Sequence, residues 1–308
     1  SGHHGLVQQG FWRDNRTWLL VGITLLVLVA GFLVKAQCLA FDWGEGREFE
    51  HYCYTDVQAL YNSHVAPGQV PYVQGFNEYP PLTGLLMYVE GQLTPNIGAY
   101  FVLNSVVMAL LAIGVTLMLT AMVGPSKRVL WWALAPSLAF YAFYNWDLVA
   151  VAFAIAGVWA YRKERFVLAG ALFGFGSMAN LFPAFLMPGL GMALIAQRRR
   201  LDRDGSGFGL AFFAAVVVVA LPLFLLNSSG IIESYRFQLA RESNLETLWY
   251  ALGHLGRLFE WDWLAAMGDK TGASIGSGLF LLASIVAAAI LAGLRRLGAL
   301  EAACIPLF

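Results

Sequence analysis

Charge is what this sequence has least of. Only 12% of its 308 residues are Asp, Glu, Lys or Arg, and 19 basic and 19 acidic side chains cancel to a net charge of zero. A chain without a basic field has nothing to hold a phosphodiester polymer, so nucleic acid is excluded as a partner class. Histidine and cysteine are also sparse, at 5 and 3. His51, His64 and His254 show no ligand spacing, and the cysteines do not form a zinc pattern with them, so no metal is implied. No glycine-rich cradle opens a helix after a strand. Gly170, Gly174 and Gly176 lie inside an apolar run, where close helix packing explains them. A soluble nucleotide ligand is thereby disfavoured, and no cofactor is called for.

Apolar surface is what the chain has in abundance: 59% of residues, with a mean hydropathy of +0.64. Apolar runs fall at 17–36, 98–123, 129–145, 147–161, 166–181, 182–197, 208–226 and 275–293, and another begins near 298. They predict an all-α polytopic membrane protein, a single transmembrane domain over 1–308 with about eight crossings. The runs between 129 and 197 are at the short end for a span, which points to tilted, broken or re-entrant helices there. The 82–93 run is shorter still and carries Glu90 and Gln92, so it is placed on the outer membrane surface. The first run exceeds the apolar core of a signal peptide and reads as a retained anchor. The opening SGHHGLVQQG, with no Met and a His pair, reads as a processing remnant or tag. The closing EAACIPLF starts an apolar run that the native protein is expected to continue into further helices.

Loops alternate sides once the 82–93 run is excluded, and the charges sort cleanly between them. Thirteen of the 19 basic residues fall on one side: Arg13, Arg16, Lys127, Arg128, the 162–165 and 198–203 clusters, Arg295 and Arg296. The other side holds the 37–97 loop, the Asn145-Trp146-Asp147 corner and the 227–274 loop, with fourteen of the 19 acids. Positive-inside logic makes the first side cytoplasmic, which places both long loops on the outer face of a plasma membrane.

Residues 53–90 gather four prolines and three acids, Asp56, Glu78 and Glu90, between two long apolar runs. Asp56 opens a short amphipathic run in which Val57, Leu60 and Tyr61 share a face. It reads either as a helix N-cap or as a carboxylate oriented to accept a proton. Glu78 and Tyr79 precede Pro80-Pro81, which fix the chain; Glu78 is either a solvated loop acid or a site residue. Asp147, behind Asn145 and Trp146, is an acid close to membrane depth, costly there without a partner. It either orients a substrate or caps the next helix. In the second long loop Arg236, Gln238 and Arg241 lie within about one and a half helical turns, and His254 and Arg257 follow on a similar run. Guanidinium groups at this face suit a phosphate, with salt bridging to Glu233, Glu242 and Glu246 the alternative. Cys38 and Cys53 share the first outer loop and are expected to be bridged, the alternative being two buried thiols.

Six motifs in order, CYTDVQALY, VPY, EYPPLTG, NWDLVAVA, NLFPAFLMP and YRFQLAR, closely resemble the polyprenol-phosphate-mannose-dependent mannosyltransferases of actinobacteria. These are a branch of the GT-C membrane glycosyltransferases, of the family 87 kind. The resemblance implies a GT-C-like helical bundle in which the acid of the first outer loop, here Asp56, is the general base of a single inverting displacement. It implies a polyprenyl-phosphate sugar, mannose in the family, as donor and a lipid or glycan as acceptor. Arg236 and Arg241 are the candidates by position for the leaving phosphate, with Gln238 and Asn180 as further donor-phosphate ligands. Glu78, Tyr79, Asn145, Asp147 and His254 are the candidates for the sugar and acceptor. The cysteine pair also resembles a recurrent loop pair of these proteins. In one place the chain departs from the family, since Asn180-Leu181-Phe182-Pro183 stands where relatives read Lys-Leu-Tyr-Pro. A neutral amide there donates hydrogen bonds but does not neutralise a phosphate.

Two other classes compete with the transferase. A lipid-linked-sugar transporter calls for midplane charges and inverted repeats, and the sequence has neither. A non-catalytic accessory subunit of a larger membrane complex would keep the fold without the chemistry.

Overall fold

The computed structural model describes residues 15–41, 43, 46–66, 68–198, 203–240, 247–294 and 298–304. Among them every named element is a helix. The first, α1 (Asn15–Ala36), buries a stripe of Thr17, Leu20, Thr24, Leu28, Gly31 and Lys35, spaced three and four apart. Leu19, Leu25, Leu26, Val29 and Leu33 on its other faces are exposed. A helix whose outer face is as apolar as its inner one belongs in lipid.

After a loop come α2 (Pro81–Gln92), α3 (Ile97–Val123), α4 (Asp147–Arg162), α5 (Phe166–Ala179), α6 (Phe182–Arg198) and α7 (Arg203–Leu226). The second long loop carries α8 (Ser228–Ala240) and α9 (Leu248–Leu258), followed by α10 (Lys270–Gly293) and α11 (Ala299–Cys304). By length and composition four helices can cross a membrane, at Asn15–Ala40, Ile97–Val123, Gly205–Leu226 and Ser274–Gly293. Shorter apolar helices lie at Phe166–Ala179 and Phe182–Ala196. The chain is thus an all-α membrane protein. At about 1.5 Å per residue, α4, α5 and α6 are roughly 20–25 Å long, short of a bilayer core of about 30 Å.

Where the sequence predicts one crossing at 129–145, the structure has two short helices, Leu130–Ala133 and Pro136–Tyr141. Pro136 supplies no N–H and holds Ala135 out of the helical region, at φ −58° and ψ 126°, which breaks the segment. The glycines of α5 behave as their setting predicts. A Cβ on Gly170 would lie 2.0 Å from the Phe208 carbonyl oxygen, and one on Gly174 would lie 2.5 Å from that of Phe212. Only glycine lets α5 and α7 approach this closely.

Cys38 and Cys53 are joined in a disulfide, and both are fully buried. Trp43 packs in the same cluster and donates from Nε1 to the Cys53 carbonyl at 3.3 Å. The bridge ties the start of the first outer loop to the residues just before Asp56. In the simplest chain-entropy account a closure of this size stabilises the fold by about 3 kcal/mol.

The 82–93 reading changes in one respect. Glu90 does not mark a solvated face of α2; it is 2% exposed and points into the body. Asn104 Nδ2 donates to its Oε2 at 3.0 Å, whereas its Oε1 and the nearby Trp146 Nε1 close no hydrogen bond among the described residues. Burial pushes the Glu90 carboxyl up to about 7, against the pull of Asn104 and Trp146 toward the charged form. A carboxyl raised in the folded state stabilises the fold fully below its unfolded value, and that contribution is lost as pH rises through about 7. Wild-type protein is therefore expected to melt at a progressively lower temperature between pH 5 and pH 8. Glu90→Gln should flatten that trend and melt several degrees higher at pH 8. Parallel melting curves for the two proteins would remove the buried-acid account.

Candidate active site

The loop before Asp56 is pinned by its backbone. Thr55 is the N-cap of the short Asp56–Ala59 helix: its Oγ1 accepts from the Val57 amide at 3.2 Å and donates toward the Phe143 and Tyr144 carbonyls at 2.8 and 3.0 Å. The Asp56 amide donates to the Tyr144 carbonyl at 2.8 Å. Thr55 therefore performs the capping that one reading of the sequence gave to Asp56. The Asp56 carboxylate, half-buried, is left for another role.

That carboxylate receives Tyr79. The phenol donates to Asp56 Oδ2 at 2.7 Å, and its ring meets Trp146 edge-on at 5.0 Å between centroids. Asn77 Oδ1 accepts from the Tyr79 amide at 2.9 Å, and Tyr72 donates to the Tyr79 carbonyl at 2.6 Å, so the residue is fixed at both ends. Burial, the charge of Asp56 and the bond to it all raise the Tyr79 phenol far above its ordinary range, and Asp147 and Glu78 add to this. At any working pH Tyr79 is a donor and not a competing base.

Asp147, whose charge also acts on Tyr79, has its own partners. Its Oδ2 accepts from Asn145 Nδ2 and its Oδ1 from Asn180 Nδ2, both at 2.9 Å. The Asp147 amide donates to Asn145 Oδ1 at 3.0 Å, closing a reciprocal pair at the start of α4. Asn180 thus satisfies an acid; the cost of that acid near membrane depth is met by two amides. Asp56, Glu78, Tyr79, Asn145, Asp147 and Asn180 are all half-buried, so the group is reachable from outside. No three His, Cys, Asp or Glu side chains come together as metal ligands among the described residues.

The second long loop reaches this group through α8. Gln238 Nε2 donates to the Glu78 carbonyl at 2.7 Å, Ser234 Oγ to the Tyr79 carbonyl at 3.3 Å, and Asn227 Nδ2 to the Val73 carbonyl at 3.1 Å. Ser234 and Gln238, four apart, share a face. Arg236 stands about 200° round the helix from Ser234 and lines a groove on the far flank with Phe76, Ile232, Glu233 and Phe237. Arg241 lies outside the described residues. His254 is exposed on α9, its ring parallel to that of Tyr250 at 6.4 Å, and no hydrogen bond among the described residues joins it to the Asp56 group. The structure therefore brings Asp56, Tyr79, Asn145, Asp147 and Asn180 together, seats Gln238 on Glu78, and sets Arg236 to one side.

The first outer loop, the 145–147 corner and the 227–240 stretch, which the charge count places on one side, meet here, and the 179–180 turn joins them. Thr83 Oγ1, donating to the Ala179 carbonyl at 2.9 Å, completes the convergence. Sequence reasoning did not single out Lys35, Thr55 or Trp146. Lys35 carries the plainest signal, a cation at the outer end of a span on the side where basic residues are few.

A profile of glycosyltransferase family 87 matches residues 76–305. It takes in Tyr79, Asn145, Asp147, Asn180 and Arg236, while Asp56 and the bridged cysteines precede it. No curated protein and no solved structure matches the chain.

Thr55 tests the geometry itself. Thr55→Val keeps the volume but removes the cap and both anchors, and should cost about 1–2 kcal/mol. Hydrogen exchange at 55–60 should rise in that variant while α3 keeps its protection; unchanged exchange would show that the anchors do not hold the loop.

Proposed function

The chain belongs to glycosyltransferase family 87, and we propose that it works as an inverting transferase on a polyprenyl-phosphate sugar, with Asp56 as general base. The donor sugar is mannose in this reading, the acceptor a lipid or polysaccharide, and the reaction takes place on the outer face of the plasma membrane with the N-terminus cytoplasmic. The observation that carries the reading is the half-buried Asp56 carboxylate, released from capping by Thr55 and oriented by the Tyr79 phenol.

The proposed step is a single displacement. An acceptor hydroxyl oxygen attacks the anomeric carbon while Asp56 takes its proton. The bond from that carbon to the phosphate oxygen breaks, and the electron pair leaves on polyprenyl phosphate. Tyr79 fixes the plane of the base, which spares the orientational cost of placing a free carboxylate. Asp147, held by Asn145 and Asn180, offers acceptor oxygens to sugar hydroxyls beside it. Glu78 and His254 are assigned to the acceptor side.

Negative charge on the leaving phosphate requires a cationic partner. Arg236 is the candidate: its groove combines a guanidinium with Phe76, Ile232 and Phe237, a setting that suits a phosphate joined to an isoprenoid chain. Gln238, seated on the Glu78 carbonyl, and Arg241, five positions after Arg236 in the sequence, are the other candidates for the phosphate in this reading. Asn180 takes no share of the phosphate charge in this scheme.

Asp56→Asn tests the base. The amide keeps the shape and can still meet Tyr79, but it cannot take a proton. Transfer from a short-chain polyprenyl phosphomannose to octyl mannoside should fall at least about a hundredfold, with donor binding within about twofold of wild type. Ordinary turnover by the variant would remove Asp56 from the mechanism.

A further inference from the structure

Lys35 is the one cation among the fully buried described residues, at 6% exposure. It ends α1, three positions before the bridged Cys38, and its setting differs from that of a lysine reaching toward water. The ammonium donates to the carbonyl of Tyr54 at 2.5 Å and to that of Tyr52 at 3.4 Å, on either side of Cys53. It also lies 5.1 Å from the centre of the Tyr144 ring. Tyr144 is the residue whose carbonyl receives the Asp56 amide and the Thr55 hydroxyl, and its ring stands 5.5 Å from that of Tyr54. Burial acts most on the ammonium, and the Asp56 charge acts on it as well. One cation therefore holds the backbone that leads into the candidate base and lies beside the ring of the residue that anchors it.

We propose that Lys35 is a positioning residue of the transfer reaction: its buried ammonium locks the Tyr52–Asp56 segment onto the end of α1 and holds the Asp56 carboxylate in its charged form. The proposal rests on Asp56 being the general base. A base must be ionised to take a proton, and a nearby opposite charge favours that state. The cost of burying an ammonium is otherwise hard to place, since an apolar residue at the end of α1 would pack without it. Other titratable groups around the pair are Glu48, whose carbonyl takes the Cys53 and Tyr54 amides, and His51 on the same segment, Tyr54 and Tyr144 at the cation and Tyr79 at the carboxylate, with Asp147 and Glu78 acting on the Tyr79 phenol. Among them Lys35 is the buried cation.

Two variants separate charge from shape. Lys35→Gln still donates a hydrogen bond to the loop carbonyls but carries no charge, and Lys35→Arg keeps the charge. The full chain in lipid nanodiscs is treated with a water-soluble carbodiimide and glycine ethyl ester across pH 4–9, and Asp56 labelling is read by peptide mass spectrometry. Since the reagent captures the protonated carboxyl, the labelling midpoint reports its ionisation without any substrate. Lys35→Gln should move that midpoint, and the acid limb of transfer from polyprenyl phosphomannose to octyl mannoside, to higher pH by about one unit or more. Lys35→Arg should stay near the wild-type midpoint. An unchanged midpoint in Lys35→Gln, in protein that melts normally, overturns the proposal and leaves the base assignment standing. If the midpoint moves while Asp56→Asn turns over freely, the electrostatic link holds but the base assignment has failed.

Discussion

The hold of the Tyr144 carbonyl on the Thr55–Asp56 backbone is the contact on which the site depends. A carboxylate in an outer loop of a membrane protein has no fixed position of its own, because loops carry backbone polar groups that water satisfies equally well. Here the loop is tied from three directions. The disulfide fixes Cys53 to the end of α1, Lys35 holds the carbonyls on either side of it, and Thr55 with the Asp56 amide meets residues 143 and 144. The side chain that follows is placed by covalent geometry, and Tyr79 has only to select its rotation.

Polar chemistry in so apolar a chain is concentrated where helices end. The Asp56, Tyr79, Asp147 and Asn180 side chains all stand at or beside helix starts or stops, where backbone groups are unpaired and a polar residue meets little penalty. Inside the body the rule is different. Thr24 and Thr116 share a hydrogen bond at 3.0 Å and Trp132 joins them, a small network that leaves no charge in the helix interface. Glu90 is the exception, and its environment favours the neutral form.

Much of this was legible in the sequence for reasons of local physics. Apolar length gives helices, the distribution of basic residues gives one set of sides, and the segments assigned to the outer side do meet. The cysteine pairing followed from a shared loop, and the α5 glycines from their apolar setting. What the sequence hides depends on contacts far apart along the chain. Asp56 as cap or as base could not be separated without seeing that Thr55 takes the cap through residues 143 and 144. Lys35 looks like any flanking lysine until the loop folds back over it. Glu90 looks like a polar-face residue because α2 is short, yet Asn104 and Trp146 draw it inward. The Arg236 cluster shows the converse error of spacing: Arg236 and Gln238, two apart in sequence, lie on opposite flanks of one helix.

The family supplies glycosyl transfer; the geometry of displacement is this account's own claim, and a bound complex tests it most directly. The Asp56→Asn variant would be solved by electron cryo-microscopy in nanodiscs with a short-chain polyprenyl phosphomannose and octyl mannoside. The account predicts an acceptor hydroxyl within roughly 3 Å of the side chain at position 56, with the donor phosphate on the opposite face of the anomeric carbon. A phosphate on the same face as position 56, or an acceptor bound away from it, would contradict the account.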